Sequence, residues 1–232
     1  MTTFQIKLIA ILTMIIDHIG LFFFPDIVAF RLIGRISFPL FAWLIANGAY
    51  HTKNSDLYLK RLFILACISQ IPFTVANVLI GHHLWFFNVV FTLSLGLAAI
   101  IFINKTKDDL AKILIISSAV GVAYIFNTDY SFVGVLSIIC FYYFYKSPWW
   151  TLILQSIIFS LPLVLYALKS FFYQGFVHLE PVHFIYWLGV LTSLSCIYYY
   201  NGREGRKAKY LFYLFYPLQH IIIIILWLKF IK

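Results

Sequence analysis

The chain has 232 residues, of which 63% are hydrophobic and only 11% charged, against about 45–50% apolar and about 25% charged in soluble domains. With a mean hydropathy of +0.94, it has too little polar surface to cover a soluble core, so lipid takes that role and no soluble domain fits. The net charge of +9 comes with no nucleic-acid-binding signature, which excludes nucleic acid as a partner and leaves membrane topology as the cause.

In chain order, apolar spans are predicted near 7–24, 33–50, 60–80, 84–103, 110–126, 130–146, 149–168, 182–200 and 210–230, each close to the length of about 20 residues that crosses the hydrocarbon. The first is not a signal peptide, because Asp17 and His18 lie mid-span and no small-residue cleavage site follows. Short hydrophilic turns separate the spans. The stretch from Lys169 to Pro181 is the longest connection, rich in aromatics and suited to the interface. Cys67, Cys140 and Cys196 lie in apolar stretches without metal-ligand spacing and read as packing residues.

Orientation follows from the cations. Lys7, Lys53, Lys60, Arg61, Lys105, Lys107, Lys112, Lys146, Arg203, Arg206, Lys207 and Lys209 fall on the side of the N-terminus. Arg31, Arg35, Lys169, Lys229 and Lys232 fall on the other. The excess puts the N-terminus in the cytoplasm. The expected fold is therefore all-α: a polytopic membrane helix bundle of about nine transmembrane helices, one domain over 1–232, in the bacterial cytoplasmic membrane.

Ionisable residues inside a membrane are costly and mark function by default. On the first span Lys7 and His18 are about three turns apart, on one face, with about 16 Å between them along the axis. This places a cation at the cytoplasmic mouth for an anionic cofactor and a base at depth. The bland reading is a snorkelling Lys and a structural His. Asp17 adjoins His18, but helical neighbours do not face each other, so Asp17 is expected to pair with a cation on another helix, such as Arg35. Arg31 and Arg35, four apart on one face, suit a carboxylate, phosphate or oxyanion or else anchor the interface. Pro39 is expected to free a carbonyl within that helix. Asn47, Asn77, Asn88 and Thr92 add polar groups, each alone more often a helix-to-helix hydrogen bond. Tyr213, Tyr216 and His220 form one stripe of the last span, either a site lining or an aromatic belt with a structural His. His51, His82-His83, His178 and His183 read as structural, and no metal site is expected. No Walker loop, HExxH or GxSxG occurs.

KLIAILTMIIDH at Lys7 to His18, RLIGRISFP at Arg31 to Pro39, the loop with Tyr50-His51-Thr52, Tyr58 and Arg61, and the closing Lys209-Tyr210, Tyr213 and Tyr216-Pro217 with His220 together resemble the TraX family. The resemblance runs end to end. It implies N-terminal acetylation of a conjugative pilin, and similarity to the wider group of transmembrane acyltransferases. Those take acetyl-CoA at the cytoplasmic face and pass the acyl group to an acceptor on the far side. In that group a basic residue precedes a catalytic His on the first helix at the spacing of Lys7 and His18, with Lys here in place of the more usual Arg, which loses the bidentate fork. The resemblance implies Lys7, Lys60 and Arg61 at the CoA phosphates, and His18 as general base or transient acyl carrier. It further implies Arg35 at the oxyanion or holding Asp17, and Arg31, Asn88, Tyr213, Tyr216 and His220 toward the acceptor. Pilin or another envelope acceptor is the expected partner beside the lipid bilayer, and a homo-oligomer is compatible with the sequence. A small-solute or lipid transporter and a non-catalytic pilus or envelope assembly factor are the alternatives. Asp17-His18 together with Arg35 and His220 favours the enzyme, because a scaffold gains little from charge at depth.

Overall fold

A computed structural model of the chain describes residues 1–81, 84–174, 181–206 and 209–230, with backbone alone at 174, 181–186 and 209–212. The His82-His83 pair, His178 and residues 175–180 of the expected aromatic connection lie outside the described residues, as does the side chain of His183. The described chain is helical throughout: α1 (Thr3–Phe23), α2 (Val28–Gly34), α3 (Ser37–His51), α4 (Ser55–Leu79), α5 (Val89–Lys105), α6 (Asp109–Ile125), α7 (Ser131–Tyr143), α8 (Pro148–Gln174), α9 (Pro181–Tyr198) and α10 (Lys209–Phe230). Five stretches are long and apolar enough to cross a membrane: Thr3–Phe23, Val28–His51, Ser55–Leu79, Pro148–Tyr173 and Tyr213–Phe230.

Local chemistry sets the helix starts. Thr2 caps α1, its hydroxyl accepting from the Gln5 amide while the Gln5 side chain accepts from the Thr2 N–H, so two otherwise unpaired donors are satisfied reciprocally. Asn54, Asn88 and Asp108 cap α4, α5 and α6 from one side only, their side chains accepting from N–H groups of the first turn. The expected second span proves to be two helices, broken between Gly34 and Ser37. Pro39 therefore sits in the first turn of α3, where its missing N–H would have had no helical partner. It frees no interior carbonyl, contrary to expectation. Lys169 to Gln174, expected in a connection, continue α8.

Small residues let the central helices close on one another. A Cβ at Gly96 would meet the Ile138 side chain at 2.6 Å, and one at Gly134 would meet the Phe38 ring at 2.8 Å, so side chains of α7 and α3 pack directly on the glycine backbone of α5 and α7. Around this seam Phe38, Leu40, Ala46, Leu97, Ile100 and Ile138 are fully or almost fully buried. Against it pack α1, α4 and α10, while α6 buries only Ala123 and lies at the rim.

Polar side chains pin this bundle. The Asn88 amide nitrogen donates to the Ala66 carbonyl and the Gln70 side-chain oxygen, each at 2.9 Å, and its own oxygen accepts from Val90 N–H. Gln70 also donates to Thr74 and to the Phe86 carbonyl. Asn88, expected toward the acceptor, is wholly buried, and its amide is engaged by α4 and α5. Asn88→Ala should lower stability by about 1–3 kcal/mol, the cost of stranding buried partners, seen as earlier thermal unfolding in detergent. An unchanged unfolding temperature would return Asn88 to the list of ligand groups.

Gly34 faces the Asp17 carboxylate so closely that a Cβ there would overlap it. Gly34→Ala should destabilise by about 1–3 kcal/mol through overpacking. Gly121, on α6 with open space around it, is the control: Gly121→Ala should be neutral or stabilising by about 0.5–1 kcal/mol. Equal unfolding temperatures for the two variants would refute the close packing of α1 on α2.

Candidate active site

The first and last helices meet at three polar residues. The Gln219 amide nitrogen of α10 donates to Nδ1 of His18 of α1 at 3.0 Å. The His18 and His220 rings stand edge-on with centroids 5.0 Å apart. His220 Nδ1 donates to the Tyr216 carbonyl at 2.9 Å, one turn back on its own helix. That bond sets the tautomer: in the neutral ring, Nε2 carries a lone pair. His220 is 1% exposed, yet its Nε2 and the Oε1 of Gln219 have no hydrogen-bond partner among the described residues. Buried polar atoms left in this state are uncommon and call for an explanation. Phe73 of α4 and Tyr216 close the cluster, their rings 5.5 and 4.9 Å from that of His220.

Asp17 points the other way, to α2, where Arg31 Nη1 donates to its carboxylate at 2.8 Å. The partner is Arg31 and not Arg35, because the break after Gly34 separates the two arginines. Arg31, expected at the acceptor, is thereby committed to α1. Arg35 instead donates to the Tyr130 hydroxyl at 3.2 Å, and its Cβ fills the place that a side chain at Gly189 would take, 2.6 Å away.

A cavity of about 760 Å³ opens beside α1, within the range of roughly 300–1,000 Å³ common to small-molecule sites. Lys7, Arg61, Arg206 and His51 line one end of it, while Met14, Val90 and Tyr216 line the other. Met14 precedes His18 by one turn of α1, and Tyr216 precedes His220 by one turn of α10. The cavity therefore ends one helical turn short of the paired imidazoles. Tyr213 lines it; His18, Asp17, Arg35 and Lys60 do not. Lys60 is exposed because it is the sequence neighbour of Arg61 and points about 100° away from it.

Several lining residues escaped the sequence reading. His51 was read as structural, but it stands at the mouth with Nδ1 donating to the Asn47 carbonyl at 2.9 Å; its place between Tyr50 and Thr52 in the family motif was the available signal. Tyr58 and Asn47 line the wall, and the Tyr145 hydroxyl donates to Asn47 at 2.6 Å. Gln219 carried no signal beyond adjoining His220. Among the described residues, no group of three or more His, Cys, Asp or Glu is placed to hold a metal ion.

No solved structure matches the chain. A protein of Dichelobacter nodosus named as a probable fimbrial assembly protein, serogroup H1, is 28% identical over 240 residues, covering 96% of this chain and 94% of the relative. An uncharacterized protein of Rickettsia prowazekii is 33% identical over 86 residues, covering 34% and 33% of the two chains. The profile of the TraX protein family matches residues 3–228, a span that takes in the Lys7–His18 helix, the broken second helix and the paired histidines alike. The chain belongs to the TraX family.

Proposed function

We propose that the protein is a membrane-embedded acetyltransferase. It moves an acetyl group from cytoplasmic acetyl-CoA to an acceptor amine on the far side of the bacterial cytoplasmic membrane, the N-terminus of a pilin being the leading acceptor. The observation that carries this is the cavity, cationic at one end and stopping one turn short of His18 and His220 at the other. The whole chain acts as one unit of about nine crossings, with Thr3 and Lys7 on the cytoplasmic side as the distribution of cations requires.

In this reading Lys7, Arg61 and Arg206 hold the phosphates of the donor, where compact or planar cations suit phosphate oxygens. The pantetheine arm follows the apolar wall of Ile11, Leu44, Leu62 and Leu93. The acceptor nitrogen attacks the thioester carbonyl carbon, the C–S bond breaks, and the thiolate leaves as CoA. The imidazole pair is the base: Nε2 of His220, without a partner, receives the proton that the nitrogen loses. His18 holds Gln219 and lies edge-on to that base. The unpartnered Nε2 of His220 and Oε1 of Gln219 are both acceptors. The name of the Dichelobacter nodosus relative, a fimbrial assembly protein, supports a pilus subunit as the source of that amine.

The test is purified protein in detergent with acetyl-CoA. Saturable binding is expected. Lys7→Ala and Arg61→Ala should each weaken it severalfold, the scale of a solvent-accessible charge pair at about 0.2–1 kcal/mol, whereas Lys60→Ala should leave it intact. His18→Ala and His220→Ala should bind the donor normally yet lower turnover to free CoA by about 10²–10⁴-fold. A folded protein with no saturable binding at millimolar acetyl-CoA would end the donor assignment and leave a non-catalytic assembly role.

A further inference from the structure

The mouth of the cavity lies where α1, α4 and α10 begin and α3 ends, and α5 ends on the same side, with Lys105 bonded to Asp56. Each of these helices therefore contributes one deepest lining residue to the inner end: Met14 on α1, Phe41 on α3, Leu65 on α4, Val89 on α5 and Tyr216 on α10. None of the five is charged. The polar group among their side chains, the Tyr216 hydroxyl, is engaged by the Val89 backbone, so the floor presents apolar surface. It is also tightly packed: Met14, Val90 and Tyr216 are 7%, 3% and 6% exposed. Tyr216 is held at both ends, since its carbonyl accepts from His220 Nδ1 at 2.9 Å. Met14 is unbranched and apolar and is held by packing. One turn beyond these two residues the space is taken by the His18 and His220 rings.

This floor stands at a fixed distance from the cations of the mouth. Seven residues of α1 separate Lys7 from Met14, a rise of about 10 Å. A pantetheine arm is as long as about four extended residues, about 14 Å, so it is no shorter than that depth. With its phosphates at Lys7 and Arg61, a donor brings its thioester up against Met14 and Tyr216. A two-carbon acyl group ends there. Each further methylene would enter space already filled by packed side chains, and an overpacked interior resists such an insertion.

We propose that Met14 and Val90, set against the fixed ring of Tyr216, are specificity-determining residues that restrict the donor to short acyl-CoA thioesters, acetyl-CoA above all. The proposal rests on the acetyltransferase reading and supplies the reason that the acyl group is the two-carbon one. Selection is by room at the floor. The cations at the mouth hold every acyl-CoA alike, because the nucleotide and the arm are common to all of them. What differs lies beyond the sulfur, where an apolar pocket discriminates a single methylene by about 10–200-fold. Smaller side chains at positions 14 and 90 would lengthen the pocket and admit longer straight-chain acyl groups.

The experiment measures turnover of acetyl-, propionyl-, butyryl- and hexanoyl-CoA to free CoA by the full chain in detergent. Wild-type kcat/KM should fall by about tenfold or more with each added methylene. Met14→Ala should raise the ratio of kcat/KM for butyryl-CoA over acetyl-CoA on the order of a hundredfold. Val90→Ala, a smaller truncation, should admit propionyl-CoA and not the longer donors, and it serves where Met14→Ala misfolds. Leu97→Ala truncates a fully buried side chain outside the cavity lining. It should lose stability and leave the ratios unchanged, which separates room at the floor from loosened packing. A wild-type profile flat across the series, or unchanged ratios in both Met14→Ala and Val90→Ala, with His18→Ala inactive on acetyl-CoA, would overturn the floor and keep the acetyltransferase. Wild-type protein that neither binds nor turns over any of these thioesters would overturn both.

Discussion

Asp17 and His18 are consecutive on a helix and cannot face the same way; the arrangement of the whole site follows from how that constraint is met. Asp17 turns to α2 and forms an ion pair with Arg31 at 2.8 Å. His18 is then rotated by about 100° toward α10, where Gln219 meets it. The pair is well removed from solvent, with 25% and 19% of the two side chains exposed. Removing one member of a half-buried pair leaves the other charge without its partner at a place poorly reached by water. The ion pair thus works as a rotational lock on α1, and Gly34 supplies the space in which the carboxylate sits. Without the lock, residues at opposite ends of the sequence would not stay in register across the helix interface.

A second constraint holds the same helix along its axis. The first residues pair with the segment that leads into α10: the N-terminal ammonium donates to the Tyr199 carbonyl, Asn201 N–H to Met1, Thr3 N–H to Arg203 and Phe4 N–H to Glu204. Gly205, at φ +75°, brings its backbone to within a side chain's breadth of Thr2, where a Cβ would lie 2.7 Å from the hydroxyl oxygen. The segment so held carries Gly202, Glu204 and Arg206 in the cavity wall. The mouth beside Lys7 is therefore built jointly by the first turn of α1 and the lead-in to α10. The deep end is built by the same two helices at Met14 and Tyr216, one turn before His18 and His220.

Properties that repeat within one helix were legible in the sequence; those that depend on how two helices are rotated against each other were not. Apolar runs located the described helices to within a few residues except at the second span, where a break of two residues after Gly34 leaves hydropathy unaffected, and at the end of α8, which runs on through Lys169 to Gln174. The common face of Lys7 and His18, and the stripe of Tyr213, Tyr216 and His220, are 3.6-residue regularities; Lys7, Tyr213 and Tyr216 line the cavity, while both histidines lie one turn beyond its end. The choice of Arg31 over Arg35 for Asp17 was hidden, because either residue could reach from a continuous helix and only the break decides. Asn88 looked like a site residue because a buried amide looks the same in sequence whether it caps a helix or meets a ligand. The turn at 127–131 was invisible because nothing in five polar and aromatic residues says that three of them take positive φ.

The cost of the arrangement argues for its use. An apolar residue at position 220 would fill the space between Tyr216 and Phe73 without stranding a nitrogen, whereas a buried unpaired polar atom costs about 1–3 kcal/mol. The chain carries this cost one turn beyond Tyr216, where the apolar cavity gives way to polar groups. A bundle selected only to occupy a membrane, or to hold a partner by its surface, would have no physical reason to strand an acceptor at that boundary. A site that receives a proton has such a reason: an acceptor already satisfied by its own protein has no lone pair left to give.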